Sequence, residues 1–351
     1  MRLIAALAAP LLAAGLAAAA PLAAQPLDPR AAALRAGVTV LAPAYDVLAE
    51  ATAAQASAWE AACAARGPSV DLAPLDTAFH EAADAYARIE PVRTGPVSED
   101  FRFERLAFWP ERRNASGRAL AQLEALDDEA LLAPERFGET SVAGQGFTAL
   151  ERLLFDADTR TALVEGGERV PRLCRIGEAI AGALAGTAGD VAQAWRDETL
   201  PALARDETAA RRAATRLVTD VLSGLEAIER QKLGLPLGAD VSDARATRAE
   251  MWRAGRSARQ IALNLAGIEA LVRTLVDANE TNAPDTLRAL AQAERLARSA
   301  PEDLGEAAAD PARRGRVLLL AAAVASARSN AATELPPALG VVTGFNALDG
   351  D

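Results

Sequence analysis

Apolar residues recur along this chain at intervals of three and four, and no stretch longer than a few residues alternates with period two. That spacing places one side of a helix in a core and argues against half-buried strands. The first long pattern covers 29–66, with Leu34, Val38, Leu41, Tyr45, Leu48, Ala56, Trp59 and Cys63 inward. Pro43 predicts a kink or a split in it. A second pattern covers 71–90, with Leu75, Phe79, Ala82, Ala83, Tyr86 and Ile89 inward, and Pro91 stops it. Further helices are expected over 170–188, 207–233, 243–279, 284–300 and 312–333, the last ended by Pro336-Pro337. Short connectors carrying Gly or Pro separate them, which is the pattern of antiparallel bundles. The expected fold is all-α. A seam at Gly186 to Gly189 would divide an N-terminal bundle over 25–188 from a C-terminal bundle over 189–351.

One stretch breaks the rule that the inward stripe is apolar. From Gly146 to Phe155 the stripe is Phe147, Leu150, Leu154 and Phe155, and Glu151 sits inside it. Ser141 is a candidate N-cap for this helix. A carboxylate on a core-facing stripe must be paired, bind a cation or take up a proton. An ion pair with Arg93, Arg105 or Arg112 and a ligand-binding role are both open for Glu151. Upstream, Phe101, Phe103, Phe108 and Trp109 fall within nine residues. They read as core, with a ligand platform as the alternative.

Composition changes the picture at the N-terminus first. Met1-Arg2 is followed by an Ala- and Leu-rich run and small residues ending at Ala23-Ala24, the form of a secretory signal peptide over 1–24. No later segment is expected to be long and apolar enough to span a bilayer. Ala abounds, and Lys232 is the single Lys beside many Arg, so a GC-rich bacterial source and a soluble periplasmic protein are expected. A formal charge of -11 argues against a nucleic-acid partner. Cys63 and Cys174 form an even pair, which in an oxidising compartment predicts a disulfide.

The inventory of reactive groups is thin. His80 is the only His, and there is no Gly-x-Ser-x-Gly elbow, no His-Glu-x-x-His and no phosphate loop. Gly146-Phe147-Thr148-Ala149-Leu150-Glu151 is echoed by Gly344-Phe345-Asn346-Ala347-Leu348-Asp349, which suggests two related halves. The first of these resembles the Gly-x-His-x-x-Glu signature of the imelysin family, also called the M75 peptidase family. Phe108-Trp109-Pro110, the run from Lys232 to Gly238 and the ending Gly344, Asn346, Asp349, Asp351 resemble that family too. The resemblance implies two helical bundles, export to the bacterial envelope, an association with iron uptake and a peptidase activity attributed to the family.

This chain departs from the signature at Thr148, where the family has His. His and Glu three residues apart share a helix face and can bind one metal, whereas Thr supplies only a hydroxyl. His80 and Asp84, at i and i+4, are candidates to complete a metal site with Glu151, for iron, zinc or calcium. Asn346, Asp349 and Asp351 offer clustered oxygens for a hard cation, against a solvated tail. A pocket near Glu151 in the first bundle is expected. The leading reading is a non-catalytic binding or accessory protein of the envelope, linked to metal uptake, whose partner is a small ligand, a metal or an envelope protein. A metal-dependent hydrolase with an altered ligand set and a structural interaction module are the alternatives.

Overall fold

The structure, a computed structural model, describes residues 27–64, 69–276 and 282–342. The candidate leader and the Gly344, Asn346, Asp349, Asp351 motif lie outside the described residues. Among those residues the regular structure is helical, with no strand. Eleven principal helices position the site: α1 (Pro29–Ala64), α2 (Ala73–Ile89), α3 (Ala115–Glu124), α4 (Gly146–Phe155), α5 (Ala157–Glu165), α6 (Val170–Ala194), α7 (Glu207–Glu226), α8 (Ser257–Leu275), α9 (Pro284–Arg298), α10 (Leu304–Ala309) and α11 (Arg314–Leu339).

Two groups of helices share one core. The later part of α1 packs on α2 and α6, and α4 lies on α2 and α6. The first turns of α1 pack instead on α7 and α8, which join α9 and α11 in the second group. Buried apolar side chains run continuously through both, from Trp59, Phe79 and Phe147 to Leu265, Leu290 and Val324. α2 meets α8 at close range: a Cβ on Gly267 would lie 1.9 Å from the carbonyl oxygen of Arg88. Only a residue without a side chain lets the two helices cross there.

Several expectations shift. The kink expected near Pro43 is a π-helical turn over Gly37–Leu41, which absorbs the register lost where a proline removes a backbone donor. α1 is also long and apolar enough to cross a membrane by length and composition, contrary to expectation, but Ala32, Leu41, Tyr45, Leu48 and Trp59 are buried in the core. Gly186 and Gly189 lie inside α6, which runs on through a π-helical turn to Arg205, so the helix does not break at the expected seam. Pro336 and Pro337 sit within the last turns of α11 rather than ending it. Leu335 and Leu339 are buried, and Gly340 closes the helix in the left-handed conformation with φ +60°.

Cys63 at the far end of α1 is disulfide-bonded to Cys174 on α6, with Cα atoms 5.7 Å apart. The bond closes a loop of 111 residues and ties together two helices that already pack side by side. By loop closure alone such a link contributes on the order of 4 kcal/mol.

Candidate functional site

α4 begins at Gly146, and its geometry explains the glycine. Gly146 has φ +69°, and a Cβ there would lie 2.3 Å from the Leu106 carbonyl oxygen and 2.4 Å from that of Arg105. The helix start is thus pressed onto the backbone of the preceding segment. Gly146→Ala is expected to lower the unfolding free energy by at least about 2 kcal/mol in urea titration, from backbone strain and overlap together. Gln145, not Ser141, occupies the N-cap position; Ser141 precedes a separate 3-10 turn.

Phe147 stacks on Tyr86 of α2 and meets Phe79 edge-on. Thr148 and Glu151 are both buried on the same helix. The Glu151 partner is none of the three arginines expected. Its Oε1 accepts the backbone N–H of Arg253 at 2.9 Å and of Ala254 at 3.2 Å. The Arg253 guanidinium is 3.8 Å from the other oxygen and bonds Asp156 more closely, at 2.5 Å. Burial outweighs these contacts and pushes the Glu151 carboxyl up to about 7.

The segment that Glu151 holds is not helical, although a helix was expected over 243–279. α8 begins only at Ser257, and 249–255 turns back on itself with positive φ at Met251 and Gly255. Ser257 Oγ donates to the Glu250 carbonyl, which fixes the fold of the turn. It carries buried Glu250 and leads into buried Arg256, two charges that a regular helix would send in directions set only by their spacing.

Glu250 faces Lys232. Lys232 Nζ lies 2.5 Å from Glu250 Oε2 and 2.7 Å from each carboxylate oxygen of Glu90, at the end of α2. All three are shielded from solvent. Burial would raise Glu90, yet the Lys232 charge and the Asn264 amide hold it below the ordinary carboxylate range. Glu250 is pushed up to about 8 by burial and by the Glu90 charge. Burial opposes the Lys232 charge, but the two carboxylates more than offset it and raise its pKa. The carboxyl pair therefore holds one proton near neutrality, beside a charged lysine.

Lys232 and Glu90 line a cavity of about 190 Å³, with Glu250 behind them. On the same measure one water needs only about 10–15 Å³. Phe103 and Trp109 form an aromatic wall, Thr219, Asp220 and Ile228 of the α7 side face them, and Asn264 of α8 lies at the bottom. Lys232 Nζ is 5.6 Å from the centre of the Trp109 ring. Asp220 Oδ2 accepts the Thr94 amide at 2.9 Å, and burial raises its carboxyl to about 6. The aromatic run read as core is thus divided: Phe101 is exposed, while Phe103 and Trp109 line the cavity.

The expected metal set does not assemble. His80 Nδ1 lies 3.1 Å from the Arg256 guanidinium, and Asp84 is paired with both Arg256 and Arg259. Burial and the Arg256 charge depress His80, and the two arginines override burial to depress Asp84. Glu151 turns its carboxylate to backbone amides instead. Among the described residues no group of three His, Cys, Asp or Glu side chains is arranged to hold a metal ion. Donors already engaged by guanidinium and amide groups do not fit a metal ion.

Comparison with known proteins adds to this geometry. The family model described as imelysin matches residues 41–331. The chain belongs to the imelysin family. An imelysin-like protein from Psychrobacter arcticus, known by crystal structure, aligns with a TM-score of 0.73 at 20% identity, covering 92% of this chain and all of that one. A putative iron-regulated protein A precursor from Parabacteroides distasonis aligns with a TM-score of 0.67 at 13% identity, covering 89% of this chain and 96% of that one. At these identities the likeness shows the imelysin fold. A search of curated proteins finds no match. Within this family member, two stretches picked out by resemblance meet at one place: Trp109 and Lys232 line the same cavity. Glu90, Asp220, Glu250 and Asn264 were missed. The lone lysine among arginines was the one available signal.

Proposed function

We propose that this chain is a non-catalytic binding protein of the bacterial envelope, exported to the periplasm, that serves metal uptake through the cavity beside Lys232. One observation carries the reading. The carboxylate of the family motif is used to hold backbone: Glu151 fixes Arg253 and Ala254, and so the turn that presents Glu250 to Lys232. A general base or metal ligand must face substrate, and Glu151 does not line the cavity. Glu151 is a positioning residue for the cavity floor. The iron-regulated name of the Parabacteroides relative supports the link to iron supply.

The test is growth under iron limitation of a strain lacking this protein. The wild-type chain is expected to restore growth. Thr219→Trp, which fills the cavity from its wall without touching Lys232, is not. Full restoration by T219W would overturn the reading, as would cleavage of peptides by the purified chain that E151Q abolishes.

A further inference from the structure

We infer that the outer face of α11 is where two copies of this chain pair, helix against helix and antiparallel. From Leu318 to Pro337 no charged side chain of α11 is exposed. The neighbouring helices of the second group differ. α9 presents Arg288, Arg295 and Arg298 to solvent, and α7 presents Arg211, Arg212 and Arg216. On α11 the exposed positions are instead Leu318, Leu319, Ala322, Ser326, Ser329, Ala332, Thr333 and Pro337, with both leucines half open to water. At 3.6 residues per turn these positions fall on one side of the helix and form a continuous strip about 30 Å long. An uncharged, partly apolar strip of this length marks a surface made to meet another.

The strip matches a reversed copy of itself. Its bulky residues, Leu318 and Leu319, stand at one end, and Ala332 and Thr333 stand at the other. A second copy turned end for end about a two-fold axis between Ala325 and Ser326 sets each leucine pair over the other copy's small residues. Ala322 then meets Ser329, and small side chains near the middle let the helix axes approach closely. Parallel pairing would stack leucine on leucine and leave a gap over Ala332. Charge selects the same arrangement. Arg316 and Glu334 lie 18 residues apart, about five turns, and so on the same flank of the strip. Arg313 and Arg328 pair with Asp303, Asp310 and Glu229, and Arg314 donates to carbonyls. Arg316 is exposed, and among the described residues no carboxylate lies within ion-pair distance of it. The half-buried Glu334 carboxylate accepts the Thr286 amide at 2.8 Å and keeps its negative charge with no cation beside it. The two-fold axis brings Arg316 of each copy beside Glu334 of the other, and it also opposes the two helix dipoles. A strip one helix wide falls short of the ~800 Å² per partner of a tight complex, so the pair is weak and forms with rising concentration.

Sedimentation velocity on the purified chain from about 1 to about 500 μM tests this, with a shift from monomer to dimer expected in the micromolar range. L318E/L319E, a change at two exposed positions, is expected to stay monomeric throughout with its thermal midpoint unchanged. Arg316→Glu removes two symmetric rim pairs and is expected to weaken the dimer about tenfold. Cys63 and Cys174 are bonded to each other, so an added cysteine is the one free thiol among the described residues. Ser326→Cys, beside the two-fold axis, is expected to link two copies on mild oxidation at the highest concentration. Leu318→Cys, whose counterpart in the other copy lies about 22 Å away, is not. A chain that stays monomeric at every concentration would overturn the proposal, whatever else covers the strip, and so would a dimer that L318E/L319E leaves intact. Linking of L318C in place of S326C would overturn the antiparallel arrangement.

Discussion

Lys232→Met is expected to lower the unfolding free energy by about 3–5 kcal/mol at neutral pH, the largest effect of any single substitution proposed for this chain. The methionine keeps the length of the side chain and removes its charge. Glu90 and Glu250 are then left facing one another in a buried site with no cation, and breaking one side of a buried ion pair carries a cost of this size. Lys232 now touches three carboxylate oxygens at 2.5–2.7 Å, so no water can readily replace it. The effect is pH-dependent in a defined direction. With Lys232 gone, the charge that holds the Glu90 carboxyl low is lost, so as pH falls toward 5 the pair takes up its second proton and the loss shrinks. The double substitution K232M/E90Q removes the lysine and one of its two carboxylates, leaving Glu250, which burial already raises, and is expected to recover much of the stability. Urea titrations of the three proteins at pH 5 and pH 7.5 check the series. A K232M loss that stayed equal at both pH values would show that packing, not charge, is the cause.

The second large effect belongs to Glu151, where two substitutions separate shape from charge. Glu151→Ala removes the acceptor for two backbone amides and is expected to cost about 2–4 kcal/mol. It should also speed hydrogen exchange of the Arg253 and Ala254 amides. Glu151→Gln keeps an oxygen acceptor in place and removes the titration. A carboxyl raised from 4.5 to about 7 by folding binds a proton in the native state that the unfolded chain has lost. Its contribution to stability is therefore full below pH 4.5 and declines as pH rises to about 7, by about 1.4 kcal/mol per unit. E151Q lacks that decline. Relative to wild type it should gain about 3 kcal/mol between pH 4.5 and pH 7.5. Parallel stability curves for the two proteins across that range would refute the assignment.

Helical periodicity alone was enough for the fold class, because a core-facing stripe repeats in α2, α6 and α8 regardless of tertiary detail. It failed where buried charge, not apolar spacing, shapes the backbone. The turn over 249–255 reads as helix by pattern, yet Glu250 must reach Lys232 and the amides of 253 and 254 must reach Glu151. Those partners are 18 and about a hundred residues distant in sequence, and no local rule sees them. The candidate site was legible in fragments for the same reason. Trp109 and Lys232 stood out as unusual residues in short family-like stretches, but Glu90, Asp220 and Asn264 are ordinary helix residues until α2, α7 and α8 converge. His80, Asp84 and Glu151 drew attention as the only familiar metal donors near one another in the expected bundle. Arginines at 253, 256 and 259 claim or surround all three, and arginine is so frequent in this chain that none of them stood out beforehand.

The division of α1 between the two groups of helices sets the order in which the molecule can be completed. Its first turns are buried against α7 and α8, whose residues are synthesised more than 170 positions later, and the Leu27 amide bonds the Ala338 carbonyl near the other end of the described chain. Ala32, Ala33 and Ala36 therefore have no native surface to occupy while the early part of the chain stands alone. The helices of the first group can pack as they emerge, but the spine they share stays half-covered until the last third arrives. A nascent chain cannot fold in two finished steps, and its first helix docks only once helices made more than 170 positions later are in place.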